Sequence, residues 1–534
     1  MMVGYSMMDV PLMLASILDY AADWHADTEI VARRINGSIV RSNYGLARPR
    51  IKAFGAALAG LGIAHGDRVA SLCWNTLEHF ELFYSVPCAG AVLHTVNPRL
   101  SDDHIVYIIN HGGARVLVFD PECAPIIERI LPRLTAVERL IYIDEGGPAP
   151  QLDAELLSYE SLIAANPTDA PFKEFDEKAG AVLCYTSGTT GNPKGVLYTH
   201  RSLVLIAVAS IAKDFFGGHR NGQIDTYMPI AGMFHATGWS FPHTAPISGS
   251  RLVLPGRSFD APSLWELIDG EQVNIIGAVP TVIQILRDHL EKNGLRNNSL
   301  AIILCSGSPV PAPLVRYWET EQGASLIQTW GMTESLCSTR GTLRPGAEPV
   351  EPEDRVISGR ASWGTRIRVA DDDDVVLPAD GETVGHLQVR GPWSASGYFN
   401  EPNNPLTPDG WLRTGDMATI DAHGNVRIRD RSKDVIKSGG EWISSVEIED
   451  HVVRCPGVRN AAVIAIPHPR WQERPLLIVQ PQEGAALVPA EVLAYLSGRI
   501  AKWWMPDRVE VVSEMPVSAT GKILKTELRK QFPA

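Results

Sequence analysis

Apolar residues recur along the chain at two alternating spacings, one typical of helices and the other typical of strands. Helical spacing is found at residues 12–24, 51–61, 80–91 and 101–111. Strand-like apolar runs lie between them, at residues 68–73, 92–96 and 114–120. Residues 29–44 predict two strands joined by Asn36-Gly37, a dipeptide typical of hairpin turns. This alternation predicts a doubly wound parallel sheet with helices on both faces.

The same alternation returns in the second part of the chain. Helices are predicted at residues 202–212, 263–269, 281–290 and 312–321, and strands at residues 251–254, 274–278, 300–305 and 325–328. From about residue 340, short strands separated by Gly, Pro and Asp turns predict a β subdomain. We therefore predict an α/β protein: residues 1–432 form a large domain of two α/β lobes plus the β subdomain. Residues 433–534 form a smaller, mobile α+β domain.

Composition narrows the possible functions. With 534 residues the chain is too long for one core, and its net charge of −13 argues against nonspecific nucleic-acid binding. An anionic ligand would therefore need locally placed cations. The seven cysteines are scattered without metal-binding spacing, and no apolar run reaches membrane-spanning length. These features predict a cytoplasmic protein without integral membrane contact.

The stretch from Tyr185 to Val196, YTSGTTGNPKGV, follows an apolar run that predicts a strand. Its glycines let backbone N–H groups turn towards an anion, its hydroxyls add donors, and Lys194 adds positive charge. The order of a Walker A loop is absent. An isolated Gly/Thr-rich loop is most often only a flexible surface loop. The complete string, however, resembles the phosphate-binding signature of the adenylate-forming superfamily, which includes acyl-CoA synthetases, peptide-synthetase adenylation domains and luciferases.

The resemblance covers nearly the whole chain and implies a nucleotide site. Phosphate contacts are implied for Thr186, Ser187, Gly188, Thr189, Thr190 and Lys194. A second motif implies further contacts by Gln328, Thr329, Trp330, Gly331, Met332 and Thr333, with Trp330 beside adenine and Thr333 at the α-phosphate. Glu334 and Thr186 would bind Mg²⁺, Asp416 would grip the ribose hydroxyls, and Arg431 would make another nucleotide contact.

The resemblance also assigns roles to the C-terminal region. Lys522 would neutralise charge as a carboxylate attacks the α-phosphate, and Lys433 would be the hinge. Lys525, close to Lys522, is expected to be a solvated helix lysine. A coenzyme A loop is implied by Lys437, Gly439, Gly440 and Trp471. Trp471 either stacks on the CoA adenine or is an ordinary core or interface tryptophan.

A motif of the fatty-acyl branch, Met233 to Trp239 (MFHATGW), implies the acyl site. The implied pocket residues are His235, Trp239, Thr281, Ile283, Ser306, Gly307 and Ser308. The resemblance makes Thr186, His235, Glu334 and Lys522 the catalytic set. It is strongest to bacterial medium-chain acyl-CoA synthetases and methylmercaptopropionate-CoA ligases. Ile283, in place of a tryptophan, and Gly238, in place of an alanine, would enlarge or reshape the pocket.

The predicted activity is ATP-dependent formation of an acyl-CoA thioester through an acyl-adenylate, with ATP, Mg²⁺ and coenzyme A, on short- to medium-chain aliphatic acids. Three alternatives remain open: an aryl- or arylpropanoyl-CoA ligase, an acyl-AMP ligase that serves a carrier protein, and a catalytically silent nucleotide-binding protein. The resemblance also implies a homodimer.

Overall fold

The computed structural model describes residues 7–145, 147–169, 171–186, 192–212, 224–341, 358–402, 404–439, 441–518 and 523–533. Backbone packing divides the chain into two units. Unit 1 comprises Met1–Thr186, Pro193–Ile276 and Gly397–Asn403, and unit 2 comprises Ser187–Asn192, Gly277–Ser396 and Asn404–Ala534. In the part of the chain that is described, no helix is long and apolar enough to cross a membrane.

Unit 1 alternates strands and helices. Its strands are β1 (Glu29–Arg33), β2 (Ile39–Asn43), β3 (Arg68–Leu72), β4 (Val92–Thr95), β5 (Ala114–Phe119), β6 (Arg139–Tyr142), β7 (Leu156–Ser158), β8 (Gly180–Tyr185), β9 (Gly195–Thr199), β10 (Thr226–Pro229) and β11 (Arg251–Leu254). Its helices are α1 (Leu14–Trp24), α2 (Tyr44–Gly60), α3 (Leu77–Cys88), α4 (Asp102–Gly112), α5 (Ala124–Ile130), α6 (Tyr159–Ala164), α7 (His200–Ser210), α8 (Phe241–Ile247) and α9 (Ala261–Gly270). The division between the units falls within β12 (Ile275–Ala278).

The main sheet of unit 1 has the strand order β7-β6-β5-β3-β4-β8-β9. Its neighbouring strands are parallel except for β8 and β9, which are antiparallel. The central strands β5 and β8 are almost entirely buried and mostly apolar, which is typical of parallel strands covered by helices on both faces. Four other strands of the unit pair in the order β10-β11-β1-β2.

Capping residues fix where several of these helices begin. The side chains of Thr76, Ser101 and Thr199 each accept a hydrogen bond from the backbone N–H three residues later. Thr199 and Ser202 form a complete capping box at the start of α7. Gly113 ends α4 in the left-handed conformation that glycine adopts without strain.

Unit 2 contains mostly short strands. They are β13 (Ile302–Cys305), β14 (Ser325–Met332), β15 (Leu336–Arg340), β16 (Arg360–Ala361), β17 (Arg366–Ala370), β18 (Gly385–Arg390), β19 (Leu412–Ile420), β20 (Val426–Arg431), β21 (Ile436–Ser438), β22 (Glu441–Ile443), β23 (Val458–His468), β24 (Gln472–Pro481) and β25 (Arg508–Val511). Its helices are α10 (Pro280–Asn293), α11 (Ala312–Arg316), α12 (Ser445–Val452), α13 (Pro489–Leu496) and α14 (Lys525–Gln531).

Two antiparallel sheets position the candidate site residues of unit 2. Strands β17-β18-β19-β20 form one sheet, and its inner face packs around Leu387, Val389 and Leu412. Strands β22-β21-β24-β23 form the other, with β25 parallel to β24. Helix α12 packs on this second sheet through Ile448 and Val452. The predicted α/β class with a β subdomain and a C-terminal α+β region is confirmed, while the domain boundary near Lys433 stays a prediction.

The largest differences from the predicted elements concern two strands that carry site residues. The strand predicted at residues 325–328 continues as β14 through Thr329 to Met332, because β15 pairs with these residues in an antiparallel hairpin. The apolar pattern predicts the next such strand only from Met417 to Ile420, whereas β19 begins five residues earlier, at Leu412. Polar and glycine residues interrupt the apolar pattern in both strands, so the pattern alone underestimates their length.

Candidate active site

The ends of the predicted phosphate-binding loop are held together by two backbone hydrogen bonds. The Thr186 N–H donates to the Lys194 carbonyl oxygen (2.9 Å), and the Lys194 N–H donates to the Thr186 hydroxyl oxygen (3.0 Å). Strand β8 leads into this loop and β9 leaves it, so a buried antiparallel pair supports its base. Ser187, Gly188, Thr189 and Thr190 lie outside the described residues. Their implied phosphate contacts therefore stay predictions.

Aromatic side chains support the loop from behind. The Tyr185 ring packs against the buried His94 ring, with 5.1 Å between their centroids. The Tyr185 hydroxyl hydrogen-bonds to His111 Nδ1 (2.7 Å). Burial lowers the pKa of His94 to about 3, so this imidazole is neutral at physiological pH. The strand that enters the loop is thus anchored on a rigid, uncharged surface.

Lys194 is held by a contact that the sequence did not reveal. Its ammonium lies 4.7 Å from the centroid of the Tyr398 ring, and the Phe399 N–H donates to the Gly195 carbonyl oxygen (2.8 Å). An aromatic face attracts a cation without neutralising it. Lys194 is exposed and keeps its charge available for an anion.

Side chains from motifs that are far apart in sequence contact each other at Asp416. The Trp330 indole N–H donates to Asp416 Oδ2 (2.8 Å), and Arg431 Nε lies 2.7 Å from Asp416 Oδ1. Asp416 is 2% exposed, whereas 47% of the Arg431 side chain is exposed. A carboxylate this buried requires such partners, since desolvation disfavours its charge. The three implied nucleotide contacts therefore form one cluster, which we call the Asp416 cluster.

Other residues of the same motif are fixed by the surrounding backbone. Gln328 accepts a hydrogen bond from the Val310 N–H (3.1 Å) and donates to the Ser358 hydroxyl (3.2 Å). The Thr329 hydroxyl makes a longer contact to the Cys305 carbonyl (3.4 Å). These contacts hold β14 against the neighbouring segments. The implied contact of Gln328 and Thr329 with a nucleotide stays a prediction.

The hairpin between β14 and β15 requires Gly331 and buries the acid that follows it. A Cβ at Gly331 would lie 2.0 Å from the Leu336 carbonyl oxygen, so no larger residue fits. Thr333 and Glu334 are each 7% exposed. The Glu334 carbonyl accepts from the Ala395 N–H (2.7 Å), which fixes its backbone. Met332, in the same hairpin, is half-buried.

The predicted acyl motif adopts an unusual backbone. After His235, the residues Ala236, Thr237, Trp239 and Ser240 all have φ between 40° and 64°. Non-glycine residues with positive φ are strained and concentrate at functional sites. His235 and Trp239 are half-buried in unit 1, and the tight turn packs Gly238 against Pro242. The motif is therefore a rigid, specifically shaped segment.

The remaining predicted acyl residues belong to unit 2. Ile283 on α10 is fully buried, whereas Thr281 at the start of that helix is exposed. Ser306 and Gly307 are half-buried after β13, and Ser308 is exposed. Gly307 has φ of 99°, a conformation that favours glycine. Only Ile283 is thus packed fully inside unit 2, and a pocket role for these residues stays a prediction.

The implied coenzyme A residues come together around Gly439. Gly439 has φ of 62°, and its N–H donates to the Trp471 carbonyl (2.8 Å). A Cβ at Gly439 would lie 2.8 Å from Trp471 Cε3, so the indole fills the space beside the glycine. The Arg470 guanidinium covers the Trp471 ring at 4.6 Å, and the Lys437 N–H donates to Glu473 (2.8 Å). Gly440 lies outside the described residues.

The expectation that Lys525 is solvated is wrong. Its ammonium lies 2.7 Å from Glu449 Oε1 and donates to the Ser445 hydroxyl (2.6 Å). The Ser445 N–H in turn donates to Asp430 Oδ2 (2.6 Å), one residue before Arg431. Desolvation opposes the charge of Lys525, but the Glu449 and Asp430 carboxylates outweigh it and raise the Lys525 pKa. Lys522 lies outside the described residues, and Lys433, the predicted hinge, is exposed.

A family model described as AMP-binding enzyme matches residues 18–399, and one described as AMP-binding enzyme C-terminal domain matches residues 447–522. The chain belongs to the AMP-binding enzyme family. The resemblance that the motifs indicated is therefore confirmed. The second match begins after the predicted hinge and includes Lys522.

Full-length relatives of this AMP-binding enzyme are curated CoA ligases. It is 42% identical to a 3-methylmercaptopropionyl-CoA ligase of Ruegeria pomeroyi, with 98% of both chains covered. It is 38% identical to a medium-chain-fatty-acid–CoA ligase of Ectopseudomonas oleovorans, covering 98% of this chain and 97% of the relative. A crystal structure of an anthranilate CoA ligase in complex with anthranoyl-AMP superimposes with a TM-score of 0.86 at 26% identity, covering 98% of each chain.

Several residues that hold the site of this AMP-binding enzyme were not identified from its sequence. They are Tyr398 under Lys194, Ser358 at Gln328, and the buried set of Asp430, Ser445 and Glu449. One signal was available: Ser445 and Glu449 lie four residues apart and so share a helix face. The other contacts join residues far apart in sequence and carry no local pattern.

Proposed function

We propose that this AMP-binding enzyme is an ATP-dependent carboxylate–CoA ligase. The observation that carries the proposal is the Asp416 cluster, in which Trp330 and Arg431 both contact the buried Asp416 carboxylate. A carboxylate can accept hydrogen bonds from two neighbouring ribose hydroxyls, and an exposed guanidinium beside it suits a phosphate. Full-length similarity to acyl-CoA ligases supports the second substrate, coenzyme A.

The proposed reaction has two steps. A carboxylate oxygen of the acid attacks the α-phosphorus of ATP, which forms the acyl-adenylate and releases pyrophosphate. The sulfur of coenzyme A then attacks the acyl carbon, loses its proton and displaces AMP. Lys194 would neutralise phosphate charge in the first step. Lys522 would stabilise the charge that develops as the two anions approach.

We propose that Thr186 and Glu334 hold the Mg²⁺ that accompanies ATP. A hydroxyl and a carboxylate are hard oxygen ligands, which Mg²⁺ prefers, and Glu334 lies at the hairpin of the second motif with 7% of its surface exposed. The ion, when bound, screens the phosphate charge. His235 would lie near the acyl carboxylate.

The two steps are proposed to use two arrangements of the C-terminal domain. Rotation about Lys433 would withdraw Lys522 after adenylation and bring the Lys437 to Gly440 loop and Trp471 to the active site. The same active site would then catalyse both reactions, with a different part of the C-terminal domain facing it in each step. The exposed position of Lys433, between β20 and β21, supports its role as the hinge.

For the acid, we propose short- to medium-chain aliphatic substrates. The similarity to ligases named for methylmercaptopropionate and medium-chain fatty acids supports this class. The buried, apolar Ile283 is compatible with an alkyl chain. An aromatic acid is the second candidate, because the similar solved structure is an anthranilate CoA ligase.

Location and assembly complete the proposal. A cytoplasmic location is supported by seven cysteines that all remain free thiols. The proposed homodimer rests on the family resemblance, and light scattering of the purified protein would test it.

The first step is tested with Lys522→Ala. We expect the variant to lose acid-dependent pyrophosphate release but to convert supplied acyl-adenylate and coenzyme A into thioester. Lys530→Ala, which removes an exposed lysine of α14, is the matched control and should retain both half-reactions. Unchanged pyrophosphate release by the Lys522 variant would contradict the proposed role of this lysine.

A further inference from the structure

Four arginines lie on the outer face of the sheet formed by β17 to β20. Arg366 and Arg368 of β17 lie directly opposite Arg390 and Gln388 of β18, and Gln388 lies opposite Arg413 of β19. Alternation along β18 places Leu387 and Val389 on the inner face, in the same apolar cluster as Trp330. The four arginines therefore lie on the side of the sheet opposite to its apolar side, which packs with Trp330 of the Asp416 cluster.

Ion pairs with carboxylates balance the positive charge of two of these arginines. Arg368 forms a two-point ion pair with Asp409 (2.7 and 2.9 Å), and Arg413 pairs with Asp374. The Asp409 carboxylate also accepts the Thr407 hydroxyl (2.6 Å), so its hydrogen-bonding capacity is largely used. The charge on this part of the face is balanced internally.

The other two arginines of this side of the sheet, Arg366 and Arg390, have a different electrostatic environment. They are direct cross-strand partners, an arrangement that repels because both are cations. No carboxylate among the described residues pairs with either guanidinium. Arg390 makes a single long contact, to the Asp409 carbonyl (3.4 Å). In a chain with a net charge of −13, two facing cations that no described carboxylate pairs with are an unusual feature.

The same two arginines line an open cavity of about 440 Å³. Gly364, Gly391 and Pro392 complete its wall, and none of them has a long side chain that could fill the space. Gly364 cannot be larger, because a Cβ there would lie 2.7 Å from the Trp393 ring. Trp363, directly before Gly364, is 64% exposed. The volume is in the range of sites for small organic ligands.

We propose that Arg366 and Arg390 bind the phosphate of a phosphorylated small molecule, at a site distinct from the Asp416 cluster. Planar guanidinium groups bind phosphate oxygens in pairs, and a phosphate dianion matches two facing cations in charge. The exposed indole of Trp363 offers a surface for a planar base. Free pyrophosphate and the phosphates of coenzyme A share this chemistry, and the experiment separates them.

The test is isothermal titration calorimetry of the full chain with inorganic pyrophosphate, coenzyme A or dephospho-coenzyme A, without ATP or acid. The proteins are wild type, Arg366→Ala/Arg390→Ala, and Arg427→Ala. Arg427 is an exposed arginine on β20 of the same sheet and is the matched control. A lysine version, Arg366→Lys/Arg390→Lys, keeps the charge but loses the planar geometry.

We expect the double alanine variant to lose one pyrophosphate-binding event, or to bind coenzyme A at least about tenfold more weakly, while Arg427→Ala matches wild type. A loss for coenzyme A but not for dephospho-coenzyme A assigns the 3′-phosphate, and an equal loss assigns the diphosphate. The lysine variant should bind with an affinity between those of wild type and the double alanine variant.

Indistinguishable titrations of wild type and double variant, or equal weakening by Arg427→Ala, would overturn the proposal. Removal of the repulsion predicts that the ligand-free double variant melts no lower than wild type, which checks its folding.

Discussion

At the scale of single residues, the Asp416 carboxylate is the buried charge at the centre of the Asp416 cluster. It is buried, yet both oxygens face a donor: the Trp330 indole N–H on one side and the Arg431 guanidinium on the other. Buried charge of this kind keeps its position only while every partner is present, because an unpaired buried carboxylate is strongly disfavoured. The orientation of the Asp416 carboxylate therefore depends on both Trp330 and Arg431.

Trp330→Phe removes only the indole N–H donor and most of its ring volume remains. A hydrogen bond to a charged group contributes about 1.5–3 kcal/mol. If Asp416 grips the ribose, we expect kcat/KM for ATP to fall roughly tenfold to a hundredfold. Steady-state kinetics with varied ATP measures this effect.

The matched control is Trp393→Phe. Trp393 is also a buried tryptophan of unit 2, but its indole N–H has no hydrogen-bond partner among the residues that the structure describes. This change should leave kcat/KM for ATP close to the wild-type value. An equal loss in both variants would show that packing, rather than the contact with Asp416, explains the effect.

Residue identities were predictable to different degrees. Trp330 and Asp416 were each identified from a local motif, but their contact spans 86 residues and has no local signal. Lys525 was assigned wrongly, since a lysine at the start of a C-terminal helix is usually solvated. Its burial depends on Glu449 of another helix, which the pattern around Lys525 cannot indicate.

At the scale of secondary-structure elements, two ion pairs connect the last helix to the rest of the C-terminal region. Lys525 on α14 reaches Glu449 on α12, and Arg529 on α14 reaches Asp434 beside the predicted hinge (2.7 Å). Helix α14 is only seven residues long and would not be stable alone. Its position therefore depends on these contacts and on the packing of Leu528.

Lys525→Met should destabilise the protein by about 3–5 kcal/mol, since it leaves the Glu449 carboxylate buried without its cation. Urea unfolding at neutral pH measures the change. Lys530→Met is the control on the same helix: its pair with Glu527 is exposed and should contribute at most about 1 kcal/mol. Adding Glu449→Leu to Lys525→Met should recover part of the loss, and equal effects of the two lysine variants would contradict the buried-pair account.

Elements were predicted best where the apolar pattern was uninterrupted. Strand β11 has the predicted bounds, and helix α4 lies within one residue of the predicted range 101–111. Strand β14 extends further because its second half pairs with β15, which the sequence did not predict. Tertiary pairing decides the state of a mixed polar and glycine segment, and local propensity does not report it.

At the scale of the whole molecule, buried histidines predict acid sensitivity. Burial lowers the pKa of His79 and His200 to about 4, and of His94 and His243 to about 3. Below pH 6.5 the unfolded chain takes up protons that the folded chain does not. The stability that these four histidines contribute is therefore fully present above pH 6.5 and is lost as the pH falls below that value.

His94→Phe tests this dependence at one position, where both ring nitrogens lack a partner among the described residues. The substitution should reduce the slope of unfolding free energy against pH by about 1.4 kcal/mol per pH unit between pH 6.5 and 4.5. Urea unfolding at several pH values measures the slope. His104→Gln, at a half-buried position near the start of α4, should leave the wild-type slope in place, and an unchanged slope in His94→Phe would refute the assignment.

The central claim, ligation of a carboxylic acid to coenzyme A, is tested most directly by the complete reaction. Purified protein would be incubated with ATP, Mg²⁺, coenzyme A and single acids: straight chains of different length, methylmercaptopropionate, branched acids and aromatic acids. Mass spectrometry would identify the thioester, and AMP would be quantified. We predict equimolar acyl-CoA and AMP with a maximum within the aliphatic series. AMP formation that is independent of coenzyme A, or no turnover with any acid, would contradict the account.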